Sequence, residues 1–167
     1  MMEEWLIVDG YNVLGAAETA PFSSLEEARD RLIRRLSEYQ AISGRKVILV
    51  FDAHRMPGAG TKQVLEQIEV QYTRQRETAD ERIEKLVRQL RQPGRQIFVA
   101  TSDYLEQRLV FGQGAYRISS RELLREMEDV REELKRENQI RQMPRKSGWD
   151  GLPDEARKRL ELWRRKK

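Results

Sequence analysis

Trp5-Leu6-Ile7-Val8 is an unbroken run of bulky apolar residues that stops at an acid, Asp9, and the arrangement returns twice. Val47-Ile48-Leu49-Val50-Phe51 stops at Asp52, and Ile97-Phe98-Val99-Ala100 is followed by Thr101-Ser102-Asp103. An apolar run that does not alternate suits a strand covered on both faces, as in the middle of a parallel sheet. Parallel neighbours need crossover connections, and the intervening segments have the length and period of amphipathic helices. The pattern therefore predicts an α/β fold with a mostly parallel central sheet and right-handed crossovers.

The punctuation between the runs supports this. Asp9-Gly10 reads as a strand-to-loop turn, with Gly10 and Asn12 both suited to a positive-φ backbone. Ser23-Ser24 ahead of Glu26-Glu27 offers a capping box. From there Leu25, Ala28, Leu32, Leu36 and Tyr39 mark the apolar face of a helix, Arg29, Arg31, Arg34, Arg35 and Glu38 mostly its other side, and Gly44 its end. Ala53 to Lys62 carries Pro57, Gly58 and Gly60 and reads as a loop, while alternation over Ile68 to Tyr72 predicts a less buried edge strand. Thr78 caps a helix with Asp80 and Glu81 in its first turn and Ile83, Leu86, Val87 and Leu90 on its core face, closed by Pro93-Gly94. Tyr104 to Phe111 reads as a short helix and Ala115 to Ile118 as a fifth strand. A long helix then opens at Ser119 or Ser120 with the seam Leu123, Met127, Val130 and Leu134, which is too short for an extended coiled coil and is expected to pack on the sheet rather than on a partner helix.

The chain has 167 residues, enough for one domain with an extension. Residues 1–140 are expected to form that domain, and 141–167 a basic C-terminal arm and helix. In the arm, Pro144 to Gly151 is a linker and Ala156, Leu160 and Trp163 form the docking stripe of a last helix. The arm holds 10 Lys and Arg against 4 Asp and Glu, whereas residues 1–140 hold 22 against 24. A basic tail on a nearly neutral domain suits a polyanion such as nucleic acid, with a solvated helix end as the plain alternative. Arg55 and Lys62 in the loop and Arg145, Lys146, Arg164 and Arg165 in the arm are the candidate RNA contacts. Cysteine is absent, which removes disulfides, thiolate metal ligands and thiol catalysis, and suits a cytoplasmic location. No apolar run has the length of a membrane span and the N-terminus is unlike a signal peptide, so a soluble, unprocessed chain without membrane contact is expected.

In a parallel sheet the strand ends share one rim, where open α/β folds place their ligands. Asp9, Asp52 and Asp103 are expected there, joined by Asp80 if its helix starts over the sheet. Two carboxylates about 5 Å apart repel by roughly 3 kcal/mol at an effective dielectric of about 20. Several acids together therefore take up protons or share a hard divalent cation, and an oxygen-only cluster selects Mg²⁺ or Mn²⁺. Such an ion suits phosphodiester cleavage. Each residue also has a plainer role. Asp52 and Asp103 are possible caps, Asp80 and Glu81 complement a helix N-terminus, and Thr78, Thr101 and Ser102 are ordinary capping residues. Asn12 either orients a carboxylate or substrate or makes a turn, and His54, the single histidine, reads as a loop residue.

Leu6-Ile7-Val8-Asp9-Gly10-Tyr11-Asn12-Val13, Phe51-Asp52, Thr78-Ala79-Asp80 and Thr101-Ser102-Asp103 together resemble the NYN-domain ribonucleases of the PIN-like superfamily, in their YacP-like branch. The resemblance covers roughly Met1 to Leu124. It implies a Rossmann-like three-layer fold with a C-terminal helical extension, and a divalent-metal endoribonuclease. By position it implies Asp9, Asp80 and Asp103 as the metal-binding acids, Asn12 as a supporting residue and Asp52 as a further acid. It also implies links to mRNA decay and to the ribosome. A non-catalytic RNA- or ribosome-binding module on the same fold is the alternative. An aspartyl phosphatase usually places a second acid two residues after the first, where Tyr11 stands here. Nothing in the residues separates RNA from DNA, and oligomeric state is open.

Overall fold

A computed structural model describes residues 2–17, 24–52, 62–74, 76–101 and 114–143, together with residues 158, 159 and 162. Contacts divide the chain into two compact units, residues 1–131 and 132–167. In the second, the described residues 132–142 are helical, as are Lys158, Arg159 and Leu162, whose side chains are exposed. The first unit holds the sheet and the candidate site.

The strands are β1 (Glu3–Asp9), β2 (Lys46–Phe51), β3 (Lys62–Leu65), β4 (Ile68–Tyr72), β5 (Arg95–Ala100) and β6 (Ala115–Ile118). The helices are α1 (Gly10–Ala16), α2 (Leu25–Ser43), α3 (Ala79–Leu90) and α4 (Ser120–Gln142). The sheet order is β3-β4-β2-β1-β5-β6, parallel throughout except for the β3–β4 hairpin. This is the expected α/β fold, with β1 central and its Leu6, Ile7 and Val8 fully buried.

The unbroken apolar runs serve two cores, separated by the parity of each strand. Leu6, Val8, Val47, Leu49, Phe51, Ile68 and Val70 face α1, α2 and α4, meeting Val13, Leu32, Leu36, Leu123 and Met127. Ile7, Ile48, Val50, Ile97 and Val99 face α3, meeting Ala79, Ile83, Leu86 and Val87. A strand with helices on both sides has no polar face to present, which is why its sequence does not alternate. The helix punctuation is as expected: Ser24 Oγ accepts from the Glu27 N–H, Thr78 Oγ1 from the Glu81 N–H, and Gly44 ends α2 at φ 76°. Leu123 and Met127 of the α4 seam are buried in the sheet core, with Val130 partly so.

The structure corrects four local expectations. β4 is an interior strand and largely buried, because the segment assigned to loop as far as Lys62 gives way to β3, which covers the edge of β4. The β3–β4 turn holds Glu66 at φ 51° and Gln67 at φ 74°. Their carbonyls accept from Ser37 Oγ and from Gln40 Nε2 of α2, so a tertiary clasp stands in for the usual turn residues. Arg29, assigned mostly to the solvent side of α2, is only 9% exposed and donates to the Tyr11 hydroxyl at 3.2 Å. The β1 exit is no loop: α1 begins at once, and neither Gly10 nor Asn12 has a positive φ. Gly10 is required for space, since a Cβ there would sit 2.3 Å from Cε1 of the buried Phe51 ring.

Candidate functional site

β1 ends at Asp9, β2 is followed by Asp52, and α3 starts over the same end of the sheet with Asp80 in its first turn. These acids line one open cleft of about 370 Å³ together with Tyr11, Asn12, Thr78 and Ala79. The expected convergence at one rim is seen for Asp9, Asp52 and Asp80, and Asn12 lines the same cleft. Asp103 and Ser102 lie outside the described residues, as do His54, Arg55, Arg145, Lys146, Arg164 and Arg165; for Lys62 only the backbone in β3 is described. Glu81 is exposed and stands in its helix-terminal role, with its backbone bonded to Thr78.

Local structure holds these side chains in place. Asp9 is the N-cap of α1, its carboxylate accepting from the Asn12 N–H at 3.4 Å. Asn12 therefore sits in the first turn of α1, and its side-chain Oδ1 accepts from Ser120 Oγ at 2.5 Å. Tyr11 forms the cleft wall; its ring packs at 5.1 Å on Phe51, which stacks on Tyr72 at 5.8 Å. On the α3 side, Glu77 is 6% exposed and takes Arg82 at 2.6 Å and Lys85 at 2.8 Å. Burial alone would raise the Glu77 pKa, but the hydrogen bonds from Lys85 and Arg82 hold it below the ordinary carboxylate value. Glu77 thereby engages both cations of the early α3 turns and fixes the chain just before Thr78.

Asp9 behaves in the opposite way. Burial pushes its pKa up to about 6, the Asn12 N–H offsets part of the rise, and the negative charges of Asp80 and Asp52 add to it. Desolvation and two neighbouring carboxylates acting on one acid in an open cleft make an arrangement typical of functional carboxylates.

The donor set fits a hard divalent cation. Asp9, Asp52 and Asp80 offer carboxylate oxygens, and Asn12 and Thr78 line the same cleft with an amide and a hydroxyl. Among the described residues no group of three His, Cys, Asp or Glu side chains closes around one ion by itself. A further polar atom stands near this rim: the Thr101 hydroxyl, just beyond β5, is fully buried and has no hydrogen-bond partner among the described residues.

The residues not anticipated from sequence are Tyr11, Ala79 and Ser120. Tyr11 lies between two residues already singled out, Asp9 and Asn12. The sequence pattern gives Ser120 only a capping role, and Ser119 takes that role by accepting from the Glu122 N–H. The doublet after β6, at the same rim, was the available signal: one serine suffices for a cap.

A family profile for the YacP-like NYN domain matches residues 6–165. The chain is 47% identical over 163 residues to the uncharacterized protein YacP of Bacillus subtilis (strain 168), covering 96% of each. The crystal structure of Rae1 (YacP) from Bacillus subtilis superposes with a TM-score of 0.74 at 47% identity, covering 96% of this chain and 94% of that one. A tryptophan-to-leucine variant of the same protein gives 0.69 at 46% identity over 85% and 86% of the two chains.

Proposed function

The chain belongs to the YacP-like NYN domain family, and from that membership we propose that it is a divalent-metal-dependent endoribonuclease, cutting RNA phosphodiester bonds in mRNA decay and in association with the ribosome. The observation that carries the proposal is the gathering of Asp9, Asp52 and Asp80 in one cleft, with the ionisation of Asp9 suppressed by burial and by the other two.

Asp9 and Asp80 would hold Mg²⁺ or Mn²⁺, with Asp103 as the third acid and Asp52 alongside. When bound, the ion would acidify a water at neutral pH and offset charge on the phosphate oxygens. The chain's own groups supply the rest. Asp9, half-buried and anchored by the Asn12 N–H, is held at the end of a central strand whose Leu6, Ile7 and Val8 are fully buried. The backbone bond from Thr78 fixes the first turn of α3, which sets the position of Asp80. Asn12 brings a neutral amide into an otherwise anionic cleft, able to donate to a phosphate oxygen. The Tyr11 ring offers an apolar wall against which a sugar or base can lie. Arg55, Lys62, Arg145, Lys146, Arg164 and Arg165 would track the flanking phosphates.

The test is cleavage of a labelled mRNA, with and without ribosomes, in Mg²⁺ or Mn²⁺ and in EDTA. Metal-dependent products from the wild type and none from Asp9→Asn are expected. RNA binding without metal-dependent product would replace the nuclease with a binding module, and equal cleavage by Asp9→Asn would remove Asp9 from the chemistry.

A further inference from the structure

Ser120 opens α4 immediately after β6, and it is 6% exposed although a serine at the first position of a helix usually faces water. The cap of α4 is made by its neighbour: Ser119 Oγ accepts from the Glu122 N–H, and the Ser119 carbonyl from the Leu123 N–H. Ser120 is therefore free of the capping task. Its hydroxyl donates instead to Asn12 Oδ1 at 2.5 Å, across 108 positions of sequence, and Asn12 lines the acid cleft.

A side-chain amide has one accepting and one donating end, and they are distinguished only by what each meets. With Oδ1 engaged by the Ser120 hydroxyl, the other end of Asn12, its N–H₂ group, is the end left for the cleft. Asp9 meets the backbone N–H of the same residue. Asn12 thus has its backbone tied to the β1 acid and its carbonyl end tied to α4, which leaves little freedom to turn the amide over.

We infer that Ser120 is a positioning residue that holds the Asn12 amide with its N–H₂ group directed into the cleft, where it serves as a neutral donor to a non-bridging phosphate oxygen of the substrate. The inference rests on the nuclease proposal for the meaning of the cleft, while the Ser120–Asn12 link stands on geometry alone. A neutral donor suits this cleft. A lysine or arginine would compete with a divalent cation for Asp9 and Asp80, whereas an amide contacts phosphate without compensating the acids. Losing the Ser120 hydroxyl lets the amide rotate and offer Oδ1 to the phosphate, replacing attraction by repulsion in part of the population.

The test is a double-mutant cycle on the full chain with Ser120→Ala, Asn12→Ala and the pair, plus Ser120→Thr as the conservative variant and Ser120→Cys as a second disruptive one of similar volume. Ser120→Ala and Ser120→Cys should lower kcat about tenfold, equivalent to about 1.4 kcal/mol of transition-state stabilisation, with KM and Mn²⁺ affinity unchanged. Ser120→Thr should restore kcat. In the Asn12→Ala background the Ser120→Ala loss should vanish, which a purely structural serine would not produce. Independently of activity, the side-chain amide resonances of Asn12, identified by their disappearance in Asn12→Ala, should shift in Ser120→Ala and return in Ser120→Thr. Additive losses, or unshifted amide resonances, overturn the assignment. If the wild type cuts no RNA, the nuclease proposal falls, and the amide resonances then decide the Ser120–Asn12 link by themselves.

Discussion

Asp9→Asn should make the metal-free protein more stable at neutral pH while removing its activity. The folded protein raises the Asp9 pKa from 3.8 to about 6. A group whose pKa is raised on folding contributes stability that is fully present below its unfolded value and is lost as pH rises through its folded value. Here the loss runs from about pH 4 to about pH 6 and is complete near pH 7. A shift of about 2 units corresponds to about 3 kcal/mol at full burial; partial exposure reduces this to about 2 kcal/mol. Asparagine keeps the shape and the Oδ1 that accepts the Asn12 N–H but never ionises, so the variant escapes the loss. In a chain of this length about 2 kcal/mol corresponds to a Tm higher by roughly 4–8 °C.

The assay is urea or thermal unfolding of both proteins in EDTA from pH 3.5 to 8, read as the difference between them so that other titrating groups cancel. The curves should coincide at the acid end, separate between about pH 4 and pH 6, and run parallel above. Adding Mg²⁺ or Mn²⁺ at pH 7.5 should then stabilise the wild type and leave Asp9→Asn almost unmoved, because a ligand stabilises only the state that binds it. Equal stability of the two proteins at pH 7.5 in EDTA, with unchanged m-values, would refute the reasoning. It would mean that Asp9 ionises in the folded protein without cost.

Gly10→Ala should destabilise the protein by about 1–3 kcal/mol, since its Cβ meets the buried Phe51 ring at 2.3 Å and overpacking costs of that order; it should also lower kcat, because Gly10 lies between Asp9 and Asn12, and denaturant melts with cleavage assays check both. Gln67→Gly should stabilise by about 0.5–1 kcal/mol, as glycine adopts the φ of 74° without the penalty a side chain carries, with urea midpoint as the measure. Thr78→Val should cost about 1 kcal/mol by removing the α3 cap and should lower kcat through Asp80, whereas Thr78→Ser should do neither; unfolding and activity of the three proteins decide it.

The features legible in the sequence are those fixed over a few neighbouring residues. The runs ending at Asp9 and Asp52 gave strand positions, Ser24 and Thr78 gave helix starts, and the shared rim followed from parallel topology rather than from any one residue. What escaped depends on distant partners. The β3–β4 hairpin has Glu66-Gln67 where a glycine or asparagine would have announced a turn, and the two carbonyls are held by Ser37 and Gln40 of α2. Arg29 carries the label of a solvated face until Tyr11 covers it. Gly10 looked like a residue chosen for its dihedral freedom, yet it is required by a ring 41 positions away, Phe51. In each case the local pattern was sound and a tertiary contact replaced the property that ordinarily accompanies it.

The same division explains why the cleft can be both strained and well placed. Leu6, Ile7 and Val8 are fully buried between helices on both faces, so the strand cannot slide or tilt to relieve Asp9 at its end. α4 adds a second constraint: Leu123 and Met127 pack into the sheet core while Ser120, one turn before Leu123, reaches Asn12. A slip of α4 along the sheet would therefore have to break core packing and the Asn12 contact together. Core burial opposes motion along each element, and the carboxylates sit at the ends that open on the cleft. Acids that repel one another separate when their supports allow it; Asp9 ends and Asp52 follows a strand packed between helices, and Asp80 stands in the first turn of a helix whose Ala79 and Ile83 are buried against the sheet, so each support is tied to a core.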